Sequence, residues 1–315
     1  MANIDLSTPL GKGCETWLYQ RKKNSVKSGT FTRLLTSLDM MKRYPIWVAP
    51  LSQLNGDCVQ RYLNQLVADG YALTTIKKQY NLITGYVRYL IGEGVPILPI
   101  FLNVSIPSED AVQKHKEEVV SYGKVEQKRL INTCENNDGL AARIVILLIE
   151  TGMRIGELLA LKWEDIEWDR RAVYIHRTLV NHNSRKTTIL QNSPKSKSSK
   201  RHVPLSQRAM GVLERMFDEA ADEAGLLFPL DNEHPDMPIG YPTCRTEVTK
   251  LCKLANVKYS GFHIFRHTFA SNCYYKGCDV KKLSKLLGHA DVAVTYNTYI
   301  HLFGDDLESL RSIVE

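Results

Sequence analysis

Six residues spread over about half of the chain are of types that could act together on a phosphate ester: Arg154, Lys195, His263, Arg266, His289 and Tyr299. Five of them can carry positive charge or donate hydrogen bonds to an anion, and the tyrosine can act as a nucleophile. The set contains no carboxylate, so it offers no ligands for a Mg²⁺ site of the nuclease or polymerase kind. Cations around one phenol suit metal-free attack on a phosphodiester, provided that folding brings these residues together.

Arg154 lies at a predicted junction between two helices. The segment TGMRIGELLALKW follows an apolar run over 140–150, and Thr151–Gly152 should end that helix before the next one begins near the arginine. A helix N-terminus favours an anion, and a guanidinium can hold two phosphate oxygens at once. The competing interpretation is an ion pair with Glu157, three residues further along a solvated helix.

The other candidates occupy positions that a fold could hold rigidly. His263 and Arg266 in GFHIFRHTFAS are three residues apart and share one face of a helix, although two surface polar groups would show the same spacing. His289 follows a glycine that is typical of a helix end. Tyr299 competes as a nucleophile with Tyr296, three residues before it, and tyrosines more often serve packing.

Four segments, taken in order, resemble the tyrosine recombinase (phage integrase) family. They are TGMRIGELLALKW, a lysine-bearing basic stretch, HxxRHTFAS and LLGHxxxxxTxNTYxH, and they fall within residues 145–301. Agreement in all of these segments is far more specific than agreement in any one. The resemblance implies an enzyme that cleaves and rejoins DNA through a 3′-phosphotyrosyl intermediate, without metal, ATP or another cofactor.

The resemblance also implies roles for the residues that would surround the phosphate. Arg154 and Arg266 would hold the non-bridging oxygens of the scissile phosphate. His263 would accept the tyrosine proton or hydrogen-bond the phosphate, and His289 would donate a hydrogen bond. Glu157 matches a common acidic position of the family and would orient its neighbours.

The nucleophile and the general acid are assigned in the same way. Tyr299 falls at the nucleophile position of TxNTYxH, which leaves Tyr296 a packing role. The family places a lysine on a β-hairpin turn, and PKSKSSKRHVPL offers Lys195 and Lys197, of which the pattern favours Lys195. The remaining basic residues of this stretch are predicted to contact DNA: Lys197, Lys200 and Arg201.

The first part of the chain is predicted to be a helical domain. Apolar residues recur at helical spacing over 59–67 and 76–91, with Gly70 ending the first helix and Thr74 or Thr75 capping the second. This pattern resembles the helical, SAM-like core-binding domain of the family. The opposite face of the second helix carries further residues predicted to bind DNA: Lys77, Lys78 and Arg88.

The predicted fold is mainly α with a small antiparallel β-sheet, in two domains. The helical DNA-binding domain covers 1–108, and the polar, proline-flanked segment 109–117 is a linker. The catalytic α+β domain covers 118–315 and ends in a short tail helix, which would pack on its own domain or on a neighbouring subunit. By family resemblance the two domains would form a clamp around the DNA duplex.

Within the catalytic domain, the β-forming run 172–180 is predicted to be one strand. The runs 187–190 and 201–205 are predicted to pair with it in one antiparallel sheet. Ser206 should cap the next helix. Further helices are expected at about 243–255, 263–275, 279–287 and 291–302.

The distribution of charge favours a polyanionic partner. The net charge is +7, yet the 44 residues from Arg170 to Leu213 contain ten Lys or Arg and no acid, so the rest of the chain sums to −3. Such a stretch is expected to face phosphates. The seven cysteines show no zinc-finger spacing, and no apolar run is long enough for a membrane span or a signal peptide. A cytoplasmic protein acting at the bacterial nucleoid is expected.

The function predicted from these observations is site-specific recombination that integrates or excises a mobile element. The expected partners are double-stranded recombination sites, three further copies of the chain in a DNA-bound tetramer that passes through a four-way junction, and an accessory DNA-bending or directionality factor. Two alternatives remain at this point: relaxation of DNA in the manner of a type IB topoisomerase, and a DNA-binding relative that has lost catalysis.

Overall fold

The computed structural model describes residues 5–26, 28–112, 121–182, 187–191, 200–220 and 222–299. The described residues up to position 112 form one compact unit, and nearly all of those from 121 onward form another. Helices dominate both units, and a small antiparallel sheet lies in the second. The predicted fold class, mainly α with a small antiparallel sheet, is therefore confirmed.

The first unit is built from helices around a single apolar core. Its α-helices are α1 (Leu10–Trp17), α2 (Ser28–Met41), α3 (Gly56–Ala68) and α4 (Leu73–Gly92). The side chain of Asn55 caps α3 by accepting a 2.9 Å hydrogen bond from the backbone N–H of Cys58. Leu63, Ile76 and Leu90 are fully buried in the core between these helices.

Helix α4 has the predicted faces but a different start. It begins at Leu73 with Ala72 at the N-cap, and no side chain caps it, so the predicted cap at Thr74 or Thr75 is wrong. Both threonines already lie within the first helical turn. The opposite face is exposed as predicted and carries Lys77, Lys78 and Arg88.

The second unit is organised around one buried helix. Its α-helices are α5 (Lys124–Glu135), α6 (Leu140–Thr151), α7 (Ile155–Leu158), α8 (Gln207–Asp218), α9 (Tyr241–Leu254), α10 (His263–Tyr275), α11 (Val280–Leu287) and α12 (Val292–Tyr299). Helix α6 is apolar on most sides because it packs against α5, α8, α9 and α10. Ser206 caps α8 through a 3.2 Å hydrogen bond from the backbone of Ala209, as predicted.

The strands that the structure describes form two sheets, so the prediction of one strand over 172–180 is wrong. A three-stranded antiparallel sheet has the order β1 (Ile166–Glu167), β2 (Ala172–Ile175) and β5 (Arg201–Pro204). A separate two-stranded sheet contains β3 (Thr178–His182) and β4 (Thr187–Gln191).

Two side chains at the break between β2 and β3 contact the same buried carboxylate. His176 and Arg177 lie between the two strands, and both contact Asp165, at 2.8 Å and 2.5 Å. Asp165 itself accepts a 2.8 Å hydrogen bond from the backbone of Lys162. The contacts to Asp165 fall where the chain leaves the first sheet.

Several predicted features lie outside the described residues. These are Lys195, Lys197, the tail helix after residue 301 and most of the predicted linker 109–117. Among the helices that are described, none combines the length and apolar character needed to cross a membrane.

Candidate active site

Arg154 occupies the N-cap of α7, directly after the turn that ends α6. Its Nη1 donates to Oε1 of Glu157 at 2.8 Å, and its backbone N–H donates to Oε2 of the same carboxylate at 2.9 Å. The Arg154 side chain is 36% exposed, whereas the Glu157 side chain is 3% exposed. The ion pair weighed as an alternative for Arg154 therefore exists, but its carboxylate is buried, and it leaves the guanidinium partly open to a ligand.

Arg266 is held from the interior of α10. It is 3% exposed, and its guanidinium donates to the carbonyls of Gly152 at 2.8 Å and of Leu287 at 2.5 Å. Burial and the nearby charge of Arg154 lower the pKa of Arg266 to about 9. The group stays positively charged at neutral pH, in a place where that charge is costly to keep.

Glycine at position 152 is required for this arrangement. Gly152 has φ of +63° at the end of α6, and a Cβ there would lie 2.3 Å from Cδ1 of Phe269. A side chain would thus be strained by its backbone and would also push into α10. The turn brings the carbonyl of Gly152 close enough to accept from Arg266.

The carboxylate of Glu157 lies between two arginines, Arg154 and Arg201. It accepts from Arg154 and also from Arg201, whose Nη2 lies 2.9 Å from Oε2. Burial alone would raise the pKa of Glu157, but the hydrogen bonds and charges of the two arginines outweigh it and lower the pKa to about 2. The carboxylate is therefore ionised at neutral pH and fixes both guanidiniums.

His289 follows the left-handed Gly288 that ends α11. Its Nδ1 lies 2.7 Å from Oγ1 of the buried Thr295 on α12, which orients the ring. Burial, followed by the positive charges of Arg266, Arg154 and Arg201, lowers the pKa of His289 to about 4. The imidazole is therefore neutral at pH 7.

Tyr299 is buried at the end of α12. The residue is 1% exposed and packs in a small apolar cluster with Ala270, Leu283 and Leu287. Its hydroxyl lies 2.8 Å from Nδ1 of His267. Burial raises its pKa to about 12, although the charges of Arg266 and Arg154 act in the opposite direction.

His263 is the exposed member of the group. It begins α10, and its ring centroid lies 6.3 Å from that of His267, one helical turn further on. Partial desolvation and the charges of Arg266 and Arg154 lower its pKa. Because the residue is exposed, its imidazole is accessible to a ligand.

The structure brings five of the six predicted catalytic residues into one electrostatically coupled cluster. The charges of Arg154 and Arg266 act on the other three, His263, His289 and Tyr299. Lys195, the sixth, lies outside the described residues. Tyr296 is 46% exposed, far more than Tyr299, and the packing role predicted for it stays a prediction. Helical spacing turns its ring to solvent while Tyr299 faces the core.

The residues predicted to bind DNA fall into two groups. Lys200, like the three cations on α4, is exposed. Arg201 differs from its prediction, since it is only 7% exposed and its guanidinium contacts groups inside the protein. Lys197 lies outside the described residues.

His267 is the contact that inspection of the sequence missed. It directly follows Arg266 and lies four residues after His263, so helical spacing puts the two imidazoles on one face. The available signal was the second histidine of HxxRH. The sequence does not give the position of α12, and that position brings Tyr299 into contact with the ring of His267.

The cluster is suited to bind an anion and to stabilise further negative charge on it. Two guanidiniums are fixed in advance by carbonyls and a carboxylate, so little reorganisation is needed when an anion arrives. Histidines and a phenol surround them, which supplies hydrogen-bond donors and one nucleophile. Within the described ranges, no group of three or more His, Cys, Asp or Glu side chains is arranged to hold a metal ion.

Comparison with known proteins identifies one family and several relatives. The sequence matches the model of the Phage integrase family over residues 123–305. It is 26% identical to a tyrosine recombinase XerC-like protein of Caldanaerobacter subterraneus subsp. tengcongensis, over 95% of this chain and 81% of that protein. It is 29% identical to transposase A from transposon Tn554 of Staphylococcus aureus, over 62% of this chain, and that match spans about half (52%) of the transposase.

Solved structures share the fold at low sequence identity. The Tn1549 transposon integrase in complex with a circular intermediate DNA superposes with a TM-score of 0.80 at 16% identity, covering 98% of this chain and 100% of that one. A lambda integrase tetramer bound to a Holliday junction gives a TM-score of 0.65 at 18% identity, covering 92% of this chain and 78% of that one.

Proposed function

We infer that this chain, which belongs to the phage integrase family, is a site-specific DNA recombinase that cuts and rejoins strands through a 3′-phosphotyrosyl intermediate. The observation that carries the proposal is the shared site of one tyrosine hydroxyl and two guanidiniums. Tyr299 lies within the electrostatic influence of Arg154 and Arg266. Both cations favour the ionised form of the phenol, although in the unbound protein burial outweighs them and raises its pKa to about 12.

The two arginines would act on the phosphate. Attack by a phenolate adds a second negative charge to a phosphodiester in the transition state, and fixed guanidiniums offset that growth. Arg266 is held by two backbone carbonyls and Arg154 by Glu157, so both are in place before DNA binds. His263 and His289 would add hydrogen bonds to the phosphate oxygens.

The tyrosine must lose a proton and change its surroundings to react. In the proposed step the Tyr299 Oη–P bond forms, the P–O5′ bond breaks, and the phenolic proton passes to a neighbouring imidazole. His267, whose Nδ1 is 2.8 Å from the hydroxyl, supplements His263 as the acceptor. Because the hydroxyl is buried, α12 must shift when DNA binds so that Tyr299 can reach phosphorus.

The departing 5′ oxygen needs a proton, and we assign that step to Lys195. The assignment is supported by the PKSKSSKRHVPL pattern that places this lysine shortly before β5. An ammonium on a flexible stem is a suitable proton donor to a leaving alkoxide. Lys197 is the alternative donor. The covalent intermediate conserves the energy of the broken ester, so rejoining needs no ATP.

The proposed partner is duplex DNA carrying a recombination site of a mobile element. Exposed cations support this, namely those on α4 and Lys200. A DNA-bound homotetramer is proposed because lambda integrase, which shares the fold, was solved as a tetramer on a Holliday junction. Integration or excision at the nucleoid, aided by an accessory DNA-bending or directionality factor, completes the proposal.

The decisive test is a suicide substrate made from the junction DNA of the host element. We expect a covalent protein–DNA adduct at a 3′ phosphate with the unaltered protein and with Tyr296→Phe, and none with Tyr299→Phe. Absence of any adduct would favour a DNA-binding relative without catalysis. Recombination between two marked plasmids, as opposed to relaxation of one, separates a recombinase from a type IB topoisomerase.

A further inference from the structure

Arg201 lies within the acid-free basic stretch, at the start of a strand of the three-stranded sheet. It is the first residue of β5 and pairs in register with Ile175 of β2. The neighbouring Lys200 and His202 are exposed, whereas the Arg201 side chain is 6% exposed. A strand alternates its side chains between two faces, so Arg201 faces inward while its neighbours face solvent.

The buried guanidinium contacts two other elements of the site. Toward α7, Nη1 and Nη2 approach the two carboxylate oxygens of Glu157 at 3.2 Å and 2.9 Å. Toward α11, Nε donates to the carbonyl of Leu286 at 2.6 Å. One side chain therefore joins the sheet to the carboxylate that holds Arg154 and to the last turn of α11.

The turn that carries His289 is packed directly onto this side chain. Gly288 has φ of +67°, and a Cβ at that position would lie 2.7 Å from Nη1 of Arg201. Glycine is thus needed both for the backbone and for the approach of the guanidinium. The position of Arg201 and the path of the chain into His289 depend on each other.

We propose that Arg201 is a positioning residue, which sets Arg154 through Glu157 and sets His289 through the carbonyl of Leu286 before DNA arrives. A buried ion pair costs desolvation free energy that apolar side chains of the same size would avoid, so stability alone does not explain it. A role in positioning explains the pair. Glu157 holds the predicted catalytic Arg154, and Arg201 contacts the last turn of α11, which leads into His289. The catalytic part of this inference rests on the proposed recombinase function.

The competing assignment is that Arg201 contacts a DNA phosphate, and the two ideas predict different measurements. A phosphate contact supports affinity, so its loss weakens DNA binding and reduces the salt dependence by roughly one unit of slope. A positioning residue leaves both nearly unchanged and acts on the chemical step. Misplacement of a catalytic group by about 1 Å can cost on the order of 10²-fold in rate.

The experiment compares Arg201→Met with Arg215→Met in the full-length protein. Arg215 is a matched control, since it forms an ion pair with Asp138 at 3.2 Å but is 54% exposed on α8. We measure the DNA dissociation constant at several salt concentrations and the single-turnover rate of adduct formation at saturating protein. For Arg201→Met we expect unchanged affinity and salt slope and a rate lower by about 10²-fold. For Arg215→Met we expect no change in either.

Arg201→Lys covers the case in which the methionine variant does not fold. Lysine keeps one charge for Glu157 but lacks the planar fork that also reaches Leu286, so we expect a reduced rate at normal affinity. The proposal is overturned if Arg201→Lys cleaves like the unaltered protein. It is also overturned if Arg201→Met loses affinity and salt dependence while cleaving normally once saturated.

A second measurement separates failure of this inference from failure of the proposed function. NMR of histidine-labelled protein follows the ring of His289, assigned with His289→Gln. The charges acting on this ring include those of Arg266, Arg154, Arg201 and Glu157, and Lys200, Lys281 and Lys285 line the same cavity. Removal of the Arg201 charge should raise the pKa of His289, and an unchanged titration would contradict the placement of the Arg201 guanidinium beside the turn that carries His289. The titration of His289 tests the position of Arg201 even if the protein forms no Tyr299 adduct.

Discussion

The cations on α4 and the arginines of the candidate active site are basic side chains in opposite settings. Lys77, Lys78 and Arg88 project from an exposed helix face, where water screens their charge. Arg266 and Arg201 are almost fully buried. An exposed cation contributes to affinity for a polyanion in a salt-dependent way, whereas a buried one can stabilise charge that develops during a reaction.

The buried setting needs support that the exposed setting does not. In the second unit, Glu157 and the carbonyls of Gly152, Leu286 and Leu287 hold the guanidiniums. These groups make the hydrogen bonds that water would make to an exposed guanidinium. They also fix the orientation of each guanidinium and keep its charged form stable. The comparison predicts that changes at the buried cluster affect rate or folding, and that changes on α4 affect binding.

The largest expected effect is that of Tyr299→Phe. Removal of one oxygen from a buried ring should abolish covalent adduct formation and leave DNA affinity unchanged, because the nucleophile is lost without any change in charge. Gel analysis of adducts on a suicide substrate measures this. Tyr296→Phe is the matched control, since its ring is 46% exposed. A persistent adduct in Tyr299→Phe would show that another residue is the nucleophile.

Arg266→Gln should follow, with a single-turnover cleavage rate lower by about 10²–10³-fold, the usual cost of removing one preorganised donor. Glutamine retains a donor for the nearby carbonyls but has no charge. Arg215→Gln, at a largely exposed position of α8, controls for loss of a positive charge. A cleavage rate close to that of the unaltered protein would contradict the role of Arg266 at the phosphate.

The Glu157 ion pairs predict a loss of stability in acid. The folded pKa of about 2 lies below the ordinary value of 4.5, so the pairs stabilise the fold fully above about pH 4.5 and progressively less as the pH falls towards 2. Breaking a buried pair costs on the order of 3 kcal/mol, and Glu157→Gln should reduce the unfolding free energy at pH 7 by about that much. Denaturant unfolding at pH 3 and pH 7 measures the contribution of Glu157. An equal effect of Glu157→Gln at both values would contradict it.

The smallest expected effects belong to α4. Lys77→Ala and Lys78→Ala should each weaken DNA binding modestly and reduce the slope of log affinity against log salt by roughly one. Lys250→Ala is a suitable control, because that exposed lysine is already paired with Glu247 at 2.7 Å. Fluorescence anisotropy at several salt concentrations measures the slopes. A slope unchanged in both α4 variants would place the DNA elsewhere.

Local patterns predicted the elements that hold the site. The break at Gly152, the helix starting at His263 and the cap at Ser206 all follow from residues within a few positions of one another. Helix ends are local because they satisfy backbone groups of a single turn. The missed start of α4 shows the limit, since the helix begins at Leu73, before both of the threonines that could have capped it.

Which residue types would serve a phosphate was determined by the sequence itself, as was the order in which α6, α7, α10 and α12 present them. Which cations are buried, and what holds them, was decided by the tertiary structure. Arg201 meets Glu157 across 44 positions and Leu286 across 85, and Tyr299 meets His267 across 32. Burial and pairing depend on such contacts between distant segments, which the spacing of residues along one segment does not encode.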